Sequence, residues 1–208
     1  MNHLLDGVSR LKHSTIRIRS DQVIYFDPFR IDGNPGDADV IFISHIHHDH
    51  FSIEDIKKLA KKDTVLVAPA DCAEKAGEAG FACKVVAPTQ SCEVGGIQFS
   101  TVPAYNIGKK FHPKENNWVG YVVRINKIAY YFAGDTDKIP EMKDIKADVA
   151  FLPVGGIYTM TWKEAAEAAN LMKPAIAVPM HFAEIVGTVE DAENFIDALD
   201  ASITGEIL

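Results

Sequence analysis

Apolar runs and apolar–polar alternation divide the chain into short strands with helices between them. Thr15-Ile16-Arg17-Ile18-Arg19 alternates with period two, whereas Val23-Ile24-Tyr25-Phe26 and Val40-Ile41-Phe42-Ile43 are apolar throughout. Strand side chains alternate between faces, so the first pattern predicts a half-buried strand and the two runs predict strands buried on both faces. The period then changes. Ser52 followed by Glu54 and Asp55 reads as a capped helix start, and Ile53, Ile56, Leu59 and Ala60 share one helical face. A strand over 64–68 follows, stopped by Pro69, then a short helix over 71–79 ended by Gly80. Residues 83–103 carry two or three strands, with Gly95-Gly96 as a hairpin turn.

The second half continues in the same way. Strands over 119–125 and 128–133 are joined by Asn126-Lys127, and 104–118 is a long loop of the kind that is usually functional or disordered. A strand over 148–152 meets Pro153, and Thr161 with Glu164 forms a capping box opening a helix to about 173. A strand over 175–180 follows. Thr188 opens a last helix with Val189, Ala192, Phe195, Ile196 and Leu199 on its apolar face. Two runs of strands, each followed by strand–helix units, predict an α/β protein: two sheets with helices outside, a four-layer α/β/β/α sandwich. The 208 residues are expected to form a single domain, 1–208.

Composition narrows the function. A chain that is 47% hydrophobic and 24% charged can bury a core and is not disordered. The net charge of -8, with no basic block, argues against nucleic acid as a partner. Met1 to Arg10 has no signal-like apolar stretch and no window reaches the length of a membrane span, so a cytoplasmic protein without membrane contact is expected. Cys72, Cys83 and Cys92 are odd in number and lack C-x-x-C spacing, which favours buried or partly buried thiols over zinc or a disulfide. A homo-oligomer is compatible with this composition.

The chemistry gathers at strand ends. His45-Ile46-His47-His48-Asp49-His50 follows the apolar run at 40–43, and all but Ile46 can bind a metal ion or move a proton. Three more strands end in polar groups: one in Gly134-Asp135-Thr136-Asp137, one in His181, and one in Asn106, with His112 further along the loop. Divalent metals need convergent nitrogen and oxygen ligands, and strand ends can supply them. The expectation is a metal-dependent enzyme.

In this order, His45-x-His47-x-Asp49-His50, Gly134-Asp135-Thr136-Asp137 and His181 resemble the metallo-β-lactamase superfamily of metal-dependent hydrolases, over about residues 13–182. Leu152-Pro153-Val154-Gly155-Gly156, Val178-Pro179-Met180-His181-Phe182, and His13-Ser14-Thr15 ahead of Asp27-Pro28 look like its small stand-alone branch related to ascorbate-6-phosphate lactonase. The resemblance implies two divalent ions, zinc first, with manganese or iron as alternatives. It places His45 and His47 on one ion, Asp49, His50 and His181 on the other, and Asp135 between them. It implies that hydroxide formed on the ions cleaves a small ester, lactone or phosphodiester, anionic substrates included, with Asp49 also serving as general acid and base. Asp27 is expected to support the histidines from behind, His13 to line or underlie the pocket, and His48 to be an exposed neighbour able to pass protons. Lys114, Trp118 and Tyr158 lie in loops expected to rim the site. Thr136 and Asp137 belong to the turn presenting Asp135.

The chain departs from the family pattern at one position. The superfamily's third histidine on the first ion falls at Asn106. Either His112 swings in as a ligand, or Asn106 offers an amide oxygen to a weakly held ion. Two other functions stay open: a metal-binding regulatory module without turnover, and a nuclease like longer relatives that carry an added nucleic-acid-binding domain.

Overall fold

The computed structural model describes residues 3–208. Met1 and Asn2, the first positions of the single-domain and N-terminal expectations, lie outside the described residues. The first sheet holds β1 (Val8–Arg10), β2 (Ile16–Arg19), β3 (Val23–Phe26), β4 (Ala38–Phe42), β5 (Ala60–Ala68) and β6 (Cys83–Val85), in that spatial order. β1 to β3 pair antiparallel, and β3 to β6 pair parallel. The parallel crossovers carry α1 (Ile53–Leu59) and α2 (Ala70–Glu78).

The second sheet repeats the scheme. β7 (Ser91–Val94), β8 (Ile97–Pro103), β9 (Val119–Ile125) and β10 (Ile128–Phe132) form an antiparallel meander. β11 (Val149–Pro153), β12 (Ile176–Met180) and β13 (Thr204–Gly205) then add in parallel, with α3 (Trp162–Met172) and α4 (Val189–Asp197) between them. The α/β sandwich expected from the pattern is present.

The apolar runs are explained by burial on two sides. Ile24 and Phe26 of β3, with Val40 and Phe42 of β4, face the second sheet. There the Phe26 ring stacks on Phe132 with centroids 4.9 Å apart, and Phe42 meets Tyr121 at 5.0 Å. The alternate residues Tyr25, Ile41, Leu66 and Ala68 pack instead with Ile56 and Leu59 of α1 and Cys72 and Ala76 of α2. Strands sandwiched in this way have no solvent face and need no polar alternation.

Element boundaries differ from the sequence expectation where local pattern was ambiguous. Ala60 caps α1 and opens β5, so that strand begins at 60 rather than 64, with its early residues largely exposed. Leu199 lies beyond α4, which ends at Asp197. Pro153 closes β11 in register with Met180 instead of stopping the strand before it. β1 and β13 have no counterpart in the sequence reading. Both are short and pair on sheet edges.

No helix among the described residues is long and apolar enough to cross a membrane. The three cysteines are free. Burial, reinforced by Asp71, pushes the Cys72 thiol far up, and burial takes Cys83 to about 11. A thiolate is the reactive form, so Ellman's reagent is expected to leave Cys72 untouched until denaturant is added. Prompt modification of all three thiols in the native protein would contradict that burial. A groove of about 840 Å³ crosses the β7–β9 region beside Gln98, Ser100, Val122 and Arg124, and none of the strand-end histidines lines it.

Candidate metal centre

The centre is built where strand ends of the two sheets meet. β3 runs into Asp27 and β4 into Ser44-His45, and the buried Asp27 carboxylate organises both. Its Oδ1 accepts the Ser44 N–H at 2.7 Å, and its Oδ2 accepts the Ser44 hydroxyl at 2.5 Å. The same Oδ2 lies 2.7 Å from His50 Nδ1, and Ser44 Oγ lies 2.8 Å from His45 Nδ1. With their Nδ1 atoms held from behind, His45 and His50 present Nε2 to the centre. A tight turn brings the intervening residues round, with the His50 and Phe51 N–H groups donating to the His47 carbonyl at 3.0 and 2.8 Å.

The second sheet contributes Asp135 beyond β10 and His181 beyond β12. Gly134 precedes Asp135 at φ 64°, and a Cβ there would stand 2.8 Å from Ser44 Cβ, so only glycine allows the sheets to approach this closely. The His181 N–H donates to the His13 carbonyl at 3.2 Å. His13, Asp27 and His181 have φ of 50°, 42° and 58°. Left-handed backbone at non-glycine residues costs about 1–3 kcal/mol each and tends to cluster at functional sites.

The side chains converge on two adjoining points. His45, His47 and His112 form one group and His13, Asp49, His50 and His181 the other, with donor atoms within each lying no more than 4.8 Å apart. Asp135 touches both. Its Oδ2 is 3.2 Å from His112 Nε2, 3.9 Å from His45 Nε2 and 3.1 Å from His181 Nε2, and its Oδ1 is 3.3 Å from His50 Nε2. Asp49 Oδ2 is 3.5 Å from His50 Nε2 and 4.0 Å from His181 Nε2.

Whether these residues suit metal ions is answered by their hydrogen bonding. Nε2 of His13, His50, His112 and His181 and Oδ1 of Asp135 are buried with no aligned hydrogen-bond partner. They sit close to carboxylate or imidazole atoms without pointing at them. Donors about 2.0–2.2 Å from a shared ion stand roughly 3.3–3.5 Å apart at tetrahedral angles. Four of the spacings, at 3.1–3.5 Å, lie close to that, and buried polar atoms are otherwise almost always satisfied. The donor set fits divalent cations.

Protonation favours the same use. Burial, helped by repulsion from His50, holds the His45 pKa well below the usual imidazole value, and burial also lowers His47 and takes His13 down to about 4. Neutral imidazole is the ligating form. Burial opposes charge on Asp135, but His181, His50 and His112 outweigh it and keep that carboxyl far below its normal range. Asp49 is likewise depressed against burial, by His13 and His50. His50 goes the other way: burial opposes its charge, but Asp135, Asp27 and Asp49 prevail and raise its pKa strongly.

The long loop decides the question posed at Asn106. Asn106 Oδ1 accepts the His112 N–H at 3.0 Å and lies 3.0 Å from His112 Nδ1, while the Asn106 N–H donates to the His112 carbonyl at 2.7 Å. Its amide group donates to Asp137 Oδ1 at 3.1 Å and to the Tyr158 carbonyl at 2.9 Å. Asn106 therefore stands behind His112, and it is His112 that joins His45 and His47. Replacing Asn106 with Ala leaves His112 Nδ1 and its backbone N–H without that acceptor, at a cost of ~1–3 kcal/mol. Metal affinity is expected to fall about 10–100-fold, as on loss of other orienting partners. Calorimetric titration with Zn²⁺ checks this, and an unchanged isotherm would remove the orienting role.

Other residues also find their places. Asp137, read only as part of a turn, takes the Ile107 N–H and Lys109 Nζ, each at 2.7 Å, and Lys109 also donates to the Thr159 carbonyl at 2.6 Å. These bonds brace the 104–118 loop against the segment after β11. Trp118 lies against the histidines, its ring centroid 5.0 Å from His45 and 4.9 Å from His47. Its indole N–H donates to Asp71 Oδ2 at 2.8 Å. His48 is exposed, with Nδ1 3.6 Å from Asp49 Oδ1. Lys114 is turned away to Glu141 and Tyr105. Nothing in the sequence marked Lys109 or Asp137 as a brace. For His112, the signal was an asparagine where a histidine was expected, followed closely by a histidine.

Comparison with known proteins points the same way. A family model described as the beta-lactamase superfamily domain matches residues 8–181. A UPF0173 metal-dependent hydrolase of Thermococcus onnurineus is 33% identical over 200 residues, covering 89% of this chain and 88% of that one. A crystal structure of a Parabacteroides distasonis protein superposes with a TM-score of 0.83 at 32% identity, covering 96% of this chain and 91% of that chain. Igni18, a metallo hydrolase of Ignicoccus hospitalis, superposes with a TM-score of 0.78 at 22% identity over 97% of this chain and 94% of that chain, a likeness of fold alone.

Proposed function

We propose, from the premise that this chain belongs to the beta-lactamase superfamily and is a metal-dependent hydrolase, that it cleaves a small ester, lactone or phosphodiester at a two-metal centre. One observation carries the reading: two groups of convergent donors share Asp135, and Nε2 of His50, His112 and His181 and Oδ1 of Asp135 are buried with no aligned hydrogen-bond partner. His45, His47, His112 and Asp135 would hold one ion, and Asp49, His50, His181 and Asp135 the other. The abundance of imidazole favours zinc, and the carboxylates keep manganese and iron as alternatives. Bound divalent ions supply an acidified water and polarise the carbonyl or phosphoryl oxygen under attack.

The chain's own groups do the rest. Asp49 directs Oδ2 to the histidines and Oδ1 toward the exposed His48. Oδ1 is thus the atom placed to take a proton and return it to the leaving group, and His48 offers a route to solvent. Trp118 forms an apolar wall behind His45 and His47 that limits water there. Phe111 and Tyr158 meet edge to face at 4.8 Å beside His112, with Ile107 and Ile157 exposed on the same two loops. We assign this edge to the organic part of a small substrate. A cytoplasmic setting without nucleic-acid partners completes the proposal.

Metal removal is the direct test. Dialysis against a chelator should abolish hydrolysis across a panel of lactones, aryl esters and phosphodiesters, and Zn²⁺ or Mn²⁺ should restore it. Full turnover by metal-free protein would sink the hydrolytic reading, and full turnover with one ion per chain would sink the two-metal reading. Asp49→Asn should lower kcat by about 10²–10⁴-fold, the usual range for loss of a general acid–base group. His48→Ala should cost far less. Equal losses in the two variants would remove the distinction between proton acceptor and exit route.

A further inference from the structure

We propose that His13 is itself a metal ligand, completing the second position with Asp49, His50, His181 and Asp135. The inference rests on the two-metal reading and deepens it. His13 lies in the turn between β1 and β2, far along the chain from the other donors, and its left-handed φ of 50° turns it into the centre. The turn is fixed by the Leu11 N–H donating to the Thr15 carbonyl at 2.9 Å and the Thr15 N–H donating to the Lys12 carbonyl at 2.7 Å. The His13 carbonyl takes the His181 N–H and the Arg10 guanidinium, both at 3.2 Å. The same guanidinium lies over the Phe182 ring, 4.0 Å from its centroid. A turn of the first sheet is thereby latched to the strand end of the second that carries His181.

The ring is fully buried, and neither of its nitrogens has an aligned hydrogen-bond partner. An unsatisfied buried polar group costs about 1–3 kcal/mol, so an imidazole kept in this state calls for a partner. Its Nε2 stands 3.3 Å from Asp49 Oδ2 and its ring centroid 4.0 Å from that of His181. Packing beneath the pocket accounts for the burial but not for the convergence. A hydrogen bond to Asp49 accounts for the proximity but not for the misalignment. The same signature, close to a carboxylate yet unaligned, marks Nε2 of His50, His112 and His181. His13 belongs with them.

The donor count then separates the two positions. The first has three imidazoles and shared Asp135; the second has three imidazoles, Asp49 and shared Asp135. Closed zinc sites are usually four-coordinate, and catalytic zinc sites usually have three protein ligands with an open position. A five-donor set mixing imidazole and carboxylate suits an ion that accepts higher coordination, such as Mn²⁺ or Fe²⁺. The second position is therefore the one expected to favour such an ion over zinc.

The test uses His13→Asn, because asparagine tolerates left-handed backbone, together with His13→Gln. Chelator competition with Mn²⁺ and Co²⁺ should show the second ion bound more weakly in both variants by more than the ~10–100-fold that loss of an orienting partner costs, with the first ion unaffected. The visible spectrum of the Co²⁺-loaded variants should change only for the second ion added. Unchanged affinity and spectrum would overturn the assignment. A wild-type protein that binds a single ion would instead count against the two-metal reading, and the effect of His13→Asn on that ion still decides whether His13 ligates. Circular dichroism of the metal-free variants controls for folding. Should neither variant fold, NMR of wild-type Co²⁺ protein decides: contact-shifted His13 ring protons support ligation, and unshifted ones refute it.

Discussion

Asp135→Asn is expected to abolish turnover, reducing kcat/KM by about a thousandfold or more, which corresponds to ~4 kcal/mol at ~1.4 kcal/mol per tenfold. The substitution keeps the shape of the side chain, so packing is not the cause. It removes a carboxylate whose oxygens face Nε2 atoms of both groups, with His112 and His181 at Oδ2 and His50 at Oδ1. An amide nitrogen in either place turns a donor toward atoms that need a cation or an acceptor. The neutral side chain also leaves the charge on His50 less compensated, and breaking a buried ion cluster typically costs ~3–5 kcal/mol. Metal content, kcat/KM and the urea midpoint of the metal-free protein should all fall together. A variant that keeps two ions and wild-type kcat/KM would show that Asp135 does not join the two positions.

Asp27→Ala should be nearly as damaging although Asp27 lies behind the ligand atoms. Its carboxylate accepts from the Ser44 N–H and hydroxyl and faces His50 Nδ1, and the Ser44 hydroxyl in turn meets His45 Nδ1. Removing it frees one imidazole of each donor group and leaves the buried His50 without its nearest carboxylate. Stability should fall by roughly 3–5 kcal/mol, the cost of stranding one member of a buried pair. Metal affinity should fall by about 10–100-fold for each imidazole set loose. Asp27→Asn should do less harm, because its carbonyl oxygen can still accept the Ser44 N–H. Urea unfolding and metal titration of the two variants measure the effects separately. Equal behaviour of Asp27→Ala and the wild type would reduce Asp27 to a turn residue before Pro28.

Some of this was legible because its cause is local. The runs at 23–26 and 40–43 are apolar throughout because helices cover one face of the sheet and the second sheet covers the other. The His45–His50 tract discloses its chemistry because one tight turn holds most of its donors. The helix starts at Ser52, Thr161 and Thr188 are local too, since each cap bonds to a backbone N–H three residues on. β1 and β13 were illegible for the converse reason: strands of three and two residues carry no period and exist because a neighbouring strand offers its edge.

Periodicity and capping are short-range properties that each segment carries alone, so they were enough to predict the layered α/β architecture, and the resemblance to the superfamily supplied most of the expected donors. It took the packing of the two sheets to place His112 rather than Asn106 with His45 and His47, to make Asp137 and Lys109 brace the long loop, and to set His13 beside His181. Each of these depends on where a distant strand end is placed, and that placement is fixed by how the two sheets pack, not by any pattern within the segments themselves.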